Sequence, residues 1–227
     1  TINNNKMSLI SIFKSSIGKK LLMALSGIFL VVFLTQHFLI NITSVFSEDI
    51  FNFLSHFMGN NPVVQFILQP ILIFGVIFHF VMGFYLEILN RKSRGKNYSR
   101  YAGRDNAPWI SRNMIYSGGV VLLFLVLHFY DFWIPEMNYK YIEVLPEDPN
   151  RYYEELIHKF ESPVRTTIYS LSFIFLALHL LHGFSSSFKT VGVDSKYYNI
   201  IKSFTFIFSI IIPFGFIFIA LFHNLMH

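Results

Sequence analysis

Ser203–His227 reads SFTFIFSIIIPFGFIFIALFHNLMH, a run with no Asp, Glu, Lys or Arg. A helix of about 20 such residues covers the hydrocarbon core of a bilayer. Four more uncharged runs precede it: Leu21–Phe46, Val63–Leu86, Asn113–Tyr130 and Thr166–Phe188. Five spans are therefore expected at about 21–46, 63–89, 111–134, 164–189 and 202–226, together one all-α transmembrane domain over residues 1–227. Composition agrees. The chain is 53% hydrophobic and 14% charged, whereas a soluble domain carries about a quarter of its residues as charged side chains. It has no cysteine, which excludes disulfides, thiolate-held iron–sulfur clusters and cysteine-ligated haem or zinc within it. The first run is too long for a signal-peptide core and lacks a small-residue cleavage motif, so it is expected to stay as a span.

The net charge of +5 does not point to nucleic acid, because the basic residues border the apolar runs. Residues 1–20, 90–112 and 189–202 hold fourteen Lys and Arg; the opposite side holds four, with ten of the thirteen acids. By the positive-inside rule the N-terminus is expected in the cytoplasm and the C-terminus in the periplasm. Two segments between the runs, Glu48–Met58 and Asn150–Phe160, have apolar residues at helical spacing and read as helices lying on the outer membrane surface. The stretches NNP at 60–62, WIPE at 133–136 and SP at 162–163 read as turns or helix starts.

Nine histidines punctuate this chain. His56 and His158 fall in the outer loops and read as surface residues. His223 and His227 end the last run near the outer face. His37, His79, His128, His179 and His182 lie within spans, where an ionisable group is costly and tends to mark function. Counting from the basic ends at 1.5 Å per residue, His79 lies about 18 Å before Arg91 and His179 about 15 Å before Lys189. His37 lies about 25 Å past Lys20, and His128 about 24 Å past Arg112. That makes two levels.

Local patterns give the same pairing. The second and fourth runs share a histidine followed four residues later by glycine, His79–Gly83 and His179–Gly183. That glycine lies on the histidine's helix face and leaves room for a flat macrocycle. The first and third runs instead share serine eleven residues before histidine: SGIFLVVFLTQH at 26–37 and SGGVVLLFLVLH at 117–128. His182 is rotated about 60° from His179; it is left to bond a serine, touch a propionate or line a quinone pocket.

Two stacked pairs suit haem, which takes one imidazole from each face. Zinc wants three or four ligands at one level, and a proton relay wants carboxylates that these runs lack. Two b-type haems are therefore expected, with His37 and His128 on one and His79 and His179 on the other. Lys20, Arg91, Arg112, Ser26 and Ser117 are candidate propionate partners.

Longer motifs carry a family resemblance: SSIGKKLLMALSG at 15–27, QHFLIN at 36–41, FNFLSHFMGNNPVVQFILQP at 51–70, FHFVMGF at 78–84, WISRNMIYSG at 109–118, LHFYDFW at 127–133 and HLLHGFSSSFKTVG at 179–192. In these the chain resembles the single-chain, five-helix dihaem cytochrome b anchor of succinate dehydrogenases and fumarate reductases, in the form found in Bacteroidetes-like bacteria. In that family the fourth-helix ligand precedes one glycine by four residues and another by thirteen, as His179 precedes Gly183 and Gly192. The resemblance implies His37 and His128 on a distal haem, and His79 and His179 on a proximal one. It also implies a flavoprotein partner carrying FAD, an iron–sulfur partner, menaquinone as substrate and a place in the bacterial inner membrane. On that reading the chain is the electron-transfer subunit of a succinate:quinone oxidoreductase, with no dicarboxylate chemistry of its own, and the complex can associate further. Some fumarate-reducing relatives carry a glutamate two residues before the fourth-helix ligand; Ala177 stands there in this chain, so no proton path is carried over. For the quinone ring, His56, Glu48 and Asp131 are candidates near the outer face, and Lys20, Ser16 and Arg112 near the inner. The rivals are a cytochrome b anchor of another quinone-linked dehydrogenase and a haem-free transporter.

Overall fold

A computed structural model of the chain describes residues 15–93, 114–193 and 197–227. Helix α1 (Ser16–Ile42) starts where the Ser15 hydroxyl accepts the Gly18 amide at 2.9 Å, satisfying a donor that the first turn leaves free. Helix α2 (Glu48–Asn60) is capped by Ser47 and carries Glu48 and Asp49 in its first turn, where the helix dipole favours negative charge. A wide turn at Val64–Leu68 leads into α3 (Gln69–Ser93). Helix α4 (Met114–His128) runs through a second wide turn, Phe129–Trp133, into the short α5 (Ile134–Met137) and a third wide turn, Asn138–Ile142. Helices α6 (Arg151–Phe160), α7 (Pro163–Val191) and α8 (Tyr198–Met226) follow. Among the described residues there is no strand.

Among the described residues five segments are long and apolar enough to cross a membrane: Ser16–Val45, Val64–Lys92, Met114–Ile142, Pro163–Val191 and Tyr198–Met226. The chain is a multi-pass membrane protein by this measure. The third reaches eight residues beyond its expected end, through the WIPE stretch, where α5 starts after Trp133. Pro135 comes just after the wide turn Phe129–Trp133, and its missing N–H is one bond that the continuing helix goes without. The SP dipeptide does start a helix: Ser162 caps α7 and Pro163 is its first residue. NNP likewise ends α2, with Asn61 Oδ1 accepting the amide of Val63 at 2.9 Å.

Helix α7 lies at the centre, packed on α1, α4 and α8, while α1 also contacts α3 and α8. Two glycines admit the aromatic rings of α1. A Cβ on Gly75 would lie 2.7 Å from Phe29, and one on Gly215 would overlap the Phe38 ring. The buried core, with Phe124, Tyr169, Phe173, Ile212 and Phe216, gathers toward the end of the bundle covered by α2 and α6. We call this the capped end. The other end carries Lys19, Lys20, Arg91, Lys92, Lys189 and Lys202, and is the basic end.

A polar network fastens the cap. Glu136 takes Lys140 at 2.6 Å, the Tyr152 hydroxyl at 2.7 Å and Arg151, which also pairs with Glu155 at 2.8 Å. Lys140 donates to the Gly59 carbonyl at 2.6 Å, and the Asn52 side chain accepts the Tyr153 amide at 2.9 Å. Burial works against the charge on Arg151, but the Glu136 and Glu155 carboxylates outweigh it and raise its pKa above the ordinary guanidinium value.

Candidate functional site

Four intramembrane histidines converge as two pairs. The His37 ring on α1 and the His128 ring on α4 have centroids 5.7 Å apart at an interplanar angle of 84°. His79 on α3 and His179 on α7 lie 6.3 Å apart at 77°. Ser26 is hydrogen-bonded to His79 at 3.0 Å and Ser117 lies 3.4 Å from His179 Nδ1. His37 and His128 each stand eleven residues further along the same two helices, so the levels are separated by about 16 Å. The pair nearer the basic end is His79–His179; the other lies under the cap.

The fit to a metal held between two imidazoles follows from bond lengths. A metal–imidazole bond of about 2.0 Å on each side, plus about 1.1 Å from nitrogen to ring centre, asks for centroids about 6.2 Å apart. Both pairs match within about half an ångström, and one ion imposes no fixed twist between two imidazoles. Among the described residues no three histidine or carboxylate side chains gather as a zinc site would need. In each pair the spacing fits one metal ion between two imidazoles, the donor set that a bis-histidine haem would need.

The surroundings of the pairs differ. His37 is stacked by Phe33 (5.5 Å, 18°) and touches Phe216 at 5.7 Å. His128 lies among Phe124, Phe132 and Tyr169, with ring centroids 5.8, 5.2 and 6.2 Å away. The Asn41 amide nitrogen is 3.4 Å from His37 Nδ1 while donating to the His37 carbonyl at 2.8 Å. His128 Nδ1 is buried with no hydrogen-bond partner among the described residues.

Several expected site residues sit differently. Ser26 and Ser117 give their protons to the Met23 and Met114 carbonyls and turn their oxygens to imidazoles, so in this structure neither hydroxyl has a proton aimed at a propionate. Gly83 and Gly183 are faced by methionine methyls: Met23 Cε is 3.4 Å from where a Cβ on Gly83 would stand, and Met114 Cε 3.1 Å from that on Gly183. Arg91 turns to Glu87 at 2.7 Å. Lys20 is exposed on α1, and Arg112 lies outside the described residues. It is the His179 ring that meets His79; His182, one turn along α7, is half-buried.

Two histidines at the capped end are enclosed: His56, expected as a surface residue, and His223, expected only to end the last run near the outer face. His56 is only 19% exposed, bonded to the Pro149 carbonyl at 3.1 Å and edged against Tyr152 at 4.8 Å. His223 is fully buried, 2.9 Å from the Ser44 hydroxyl, and its ring stacks with His227. The cap covers both, and a linear count of depth cannot register a loop folding back. His158 remains exposed. Asp131 is also fully buried, bonded by Tyr169 at 2.8 Å and facing Arg165 at 3.5 Å. Its position depends on the wide turn after His128, which re-aims side chains.

No family model, curated protein or solved structure matches the chain.

Proposed function

We propose that the chain is a dihaem cytochrome b: the membrane anchor of a succinate:quinone oxidoreductase, passing electrons between an iron–sulfur subunit and menaquinone. The observation that carries this reading is the meeting of four histidines from four helices as two pairs, each spaced for one metal between two imidazoles. The motif resemblance along the chain supplies the choice of complex. Haem held in this way exchanges one electron at a time and keeps no coordination position open for oxygen.

The chain's own residues hold and insulate. His37 and His128 would ligate one haem, His79 and His179 the other, and the aromatic rings around the first pair keep water from it. In the proposed orientation the basic end faces the cytoplasm, where the excess of Lys and Arg belongs. There it forms the floor on which the iron–sulfur subunit docks, while the cap faces the periplasm.

The test is a reduced-minus-oxidised spectrum of the complex purified in mild detergent. Two b-type haems reduced by succinate are expected. A colourless protein would overturn the reading, and haems reduced by hydrogen or formate but not succinate would move the anchor to a different dehydrogenase.

A further inference from the structure

A serine hydroxyl has one proton to give. Ser26 gives it to the Met23 carbonyl at 2.9 Å, and Ser117 gives its own to the Met114 carbonyl at 2.9 Å. Only lone pairs are left on each oxygen. The contact of 3.0 Å to His79 Nδ1 is then a hydrogen bond only if that nitrogen carries the hydrogen, and the same holds at 3.4 Å for His179. A neutral imidazole has a single N–H, so Nε2 of both histidines is a bare lone pair. Met114 also offers its backbone to His179.

The seat is built twice. Met-x-x-Ser-Gly occurs at 23–27 and again at 114–118. In each copy the methionine carbonyl takes the serine proton and the serine oxygen takes the imidazole proton. The ring edge lies beside the glycine in both copies: a Cβ on Gly27 or Gly118 would stand 3.4 Å from Cε1 of His79 or His179, in van der Waals contact. The methionine methyl closes over the glycine one turn beyond the histidine. At the capped pair no hydroxyl plays this part. An amide faces His37, and His128 Nδ1 has no partner among the described residues.

We infer that Ser26 and Ser117 are positioning residues. They fix His79 and His179 as the Nδ1–H tautomer, aim both Nε2 atoms into the gap between the rings, and make this pair the stronger-donating of two otherwise identical ligand sets. The inference rests on the two-haem reading. An imidazole that donates its N–H to an acceptor is a more basic ligand, which favours ferric over ferrous iron and lowers the potential of the basic-end haem.

The experiment uses the whole complex carrying Ser26→Ala, Ser117→Ala or both, with Ser26→Thr and Ser117→Thr beside them. It reads haem per polypeptide, the two midpoint potentials and the ferric electron paramagnetic resonance signals. In the alanine variants the basic-end haem is expected to rise in potential and shift its ferric signal while the capped-end haem keeps both, and threonine restores the wild-type values. If the alanine variants lose the basic-end haem, threonine variants that keep it at wild-type potential support the inference. Unchanged potentials in the double alanine variant, equal shifts in both haems, or no rescue by threonine would overturn it. A wild-type complex without haem would instead sink the two-haem reading, and shows before any variant is made.

Discussion

The two histidine pairs differ in what surrounds them rather than in what they are. At the basic end each imidazole is held by a hydroxyl on a neighbouring helix. At the capped end the rings are held by other rings, and the core of the bundle lies around them. On the proposed two-haem reading, the same ligand chemistry would be tuned by directed polar contacts on one side and by packing on the other. Substitutions that disturb packing should strike the capped pair, and those that disturb hydrogen bonds the basic one.

Phe216→Ala is the most severe break in this comparison. Its ring is 7% exposed, stacks on Phe173 at 5.2 Å and touches His37. Removing a buried phenylalanine costs about 4 kcal/mol. Thermal unfolding in detergent should register that loss, and the haem lost first should be the one on His37 and His128. Equal loss of both haems would contradict the division.

Arg151→Ala comes next, with an expected cost of about 2–3 kcal/mol because it leaves the Glu136 carboxylate with only Lys140 and the Tyr152 hydroxyl. The same melting measurement checks it, with Arg151→Lys recovering only part, since lysine cannot span two carboxylates.

How much of this could be read from the sequence divides along physical lines. The five apolar runs follow from the length that a helix needs in lipid, and the pairing of histidines by level follows from a constant rise per residue. The roles of Ser26 and Ser117 were not readable. A period of eleven residues reports that serine and histidine share a helix face, whereas the serine's partner lies 53 residues away in the first case and 62 in the second. Periodicity describes one helix and says nothing of its neighbour. The buried His223 and Asp131 escaped for a related reason: one is covered by the cap and the other is turned inward by a wide helical turn, and neither event changes local hydropathy.

Smaller effects sharpen the account of the cap. Ser44 donates to the Asn41 carbonyl at 2.7 Å and so must accept from His223 Nε2–H at 2.9 Å. Ser44→Ala strands that buried N–H and should cost about 1–2 kcal/mol, with little change when Ser44→Thr keeps the hydroxyl. Tyr152→Phe loses one bond to Glu136, a cost of about 1 kcal/mol, and has a pH signature. Burial, then the Glu136 carboxylate, pushes the Tyr152 hydroxyl above its ordinary value of 10.0. The fold keeps a proton that the unfolded chain gives up, so the stabilisation is complete below pH 10 and drains away as pH climbs past it. Melting temperature should fall above pH 10, and Tyr152→Phe should flatten that fall in part, because Tyr153 is shifted in the same direction.

Counting haem in four single variants tests the central claim most directly. Wild type should hold two haems per polypeptide, and His37→Ala, His79→Ala, His128→Ala and His179→Ala one each. The spectrum lost with His37 should be the spectrum lost with His128, and likewise for His79 and His179. A single haem in the wild type, or loss of the same haem with His37 as with His79, would contradict the account.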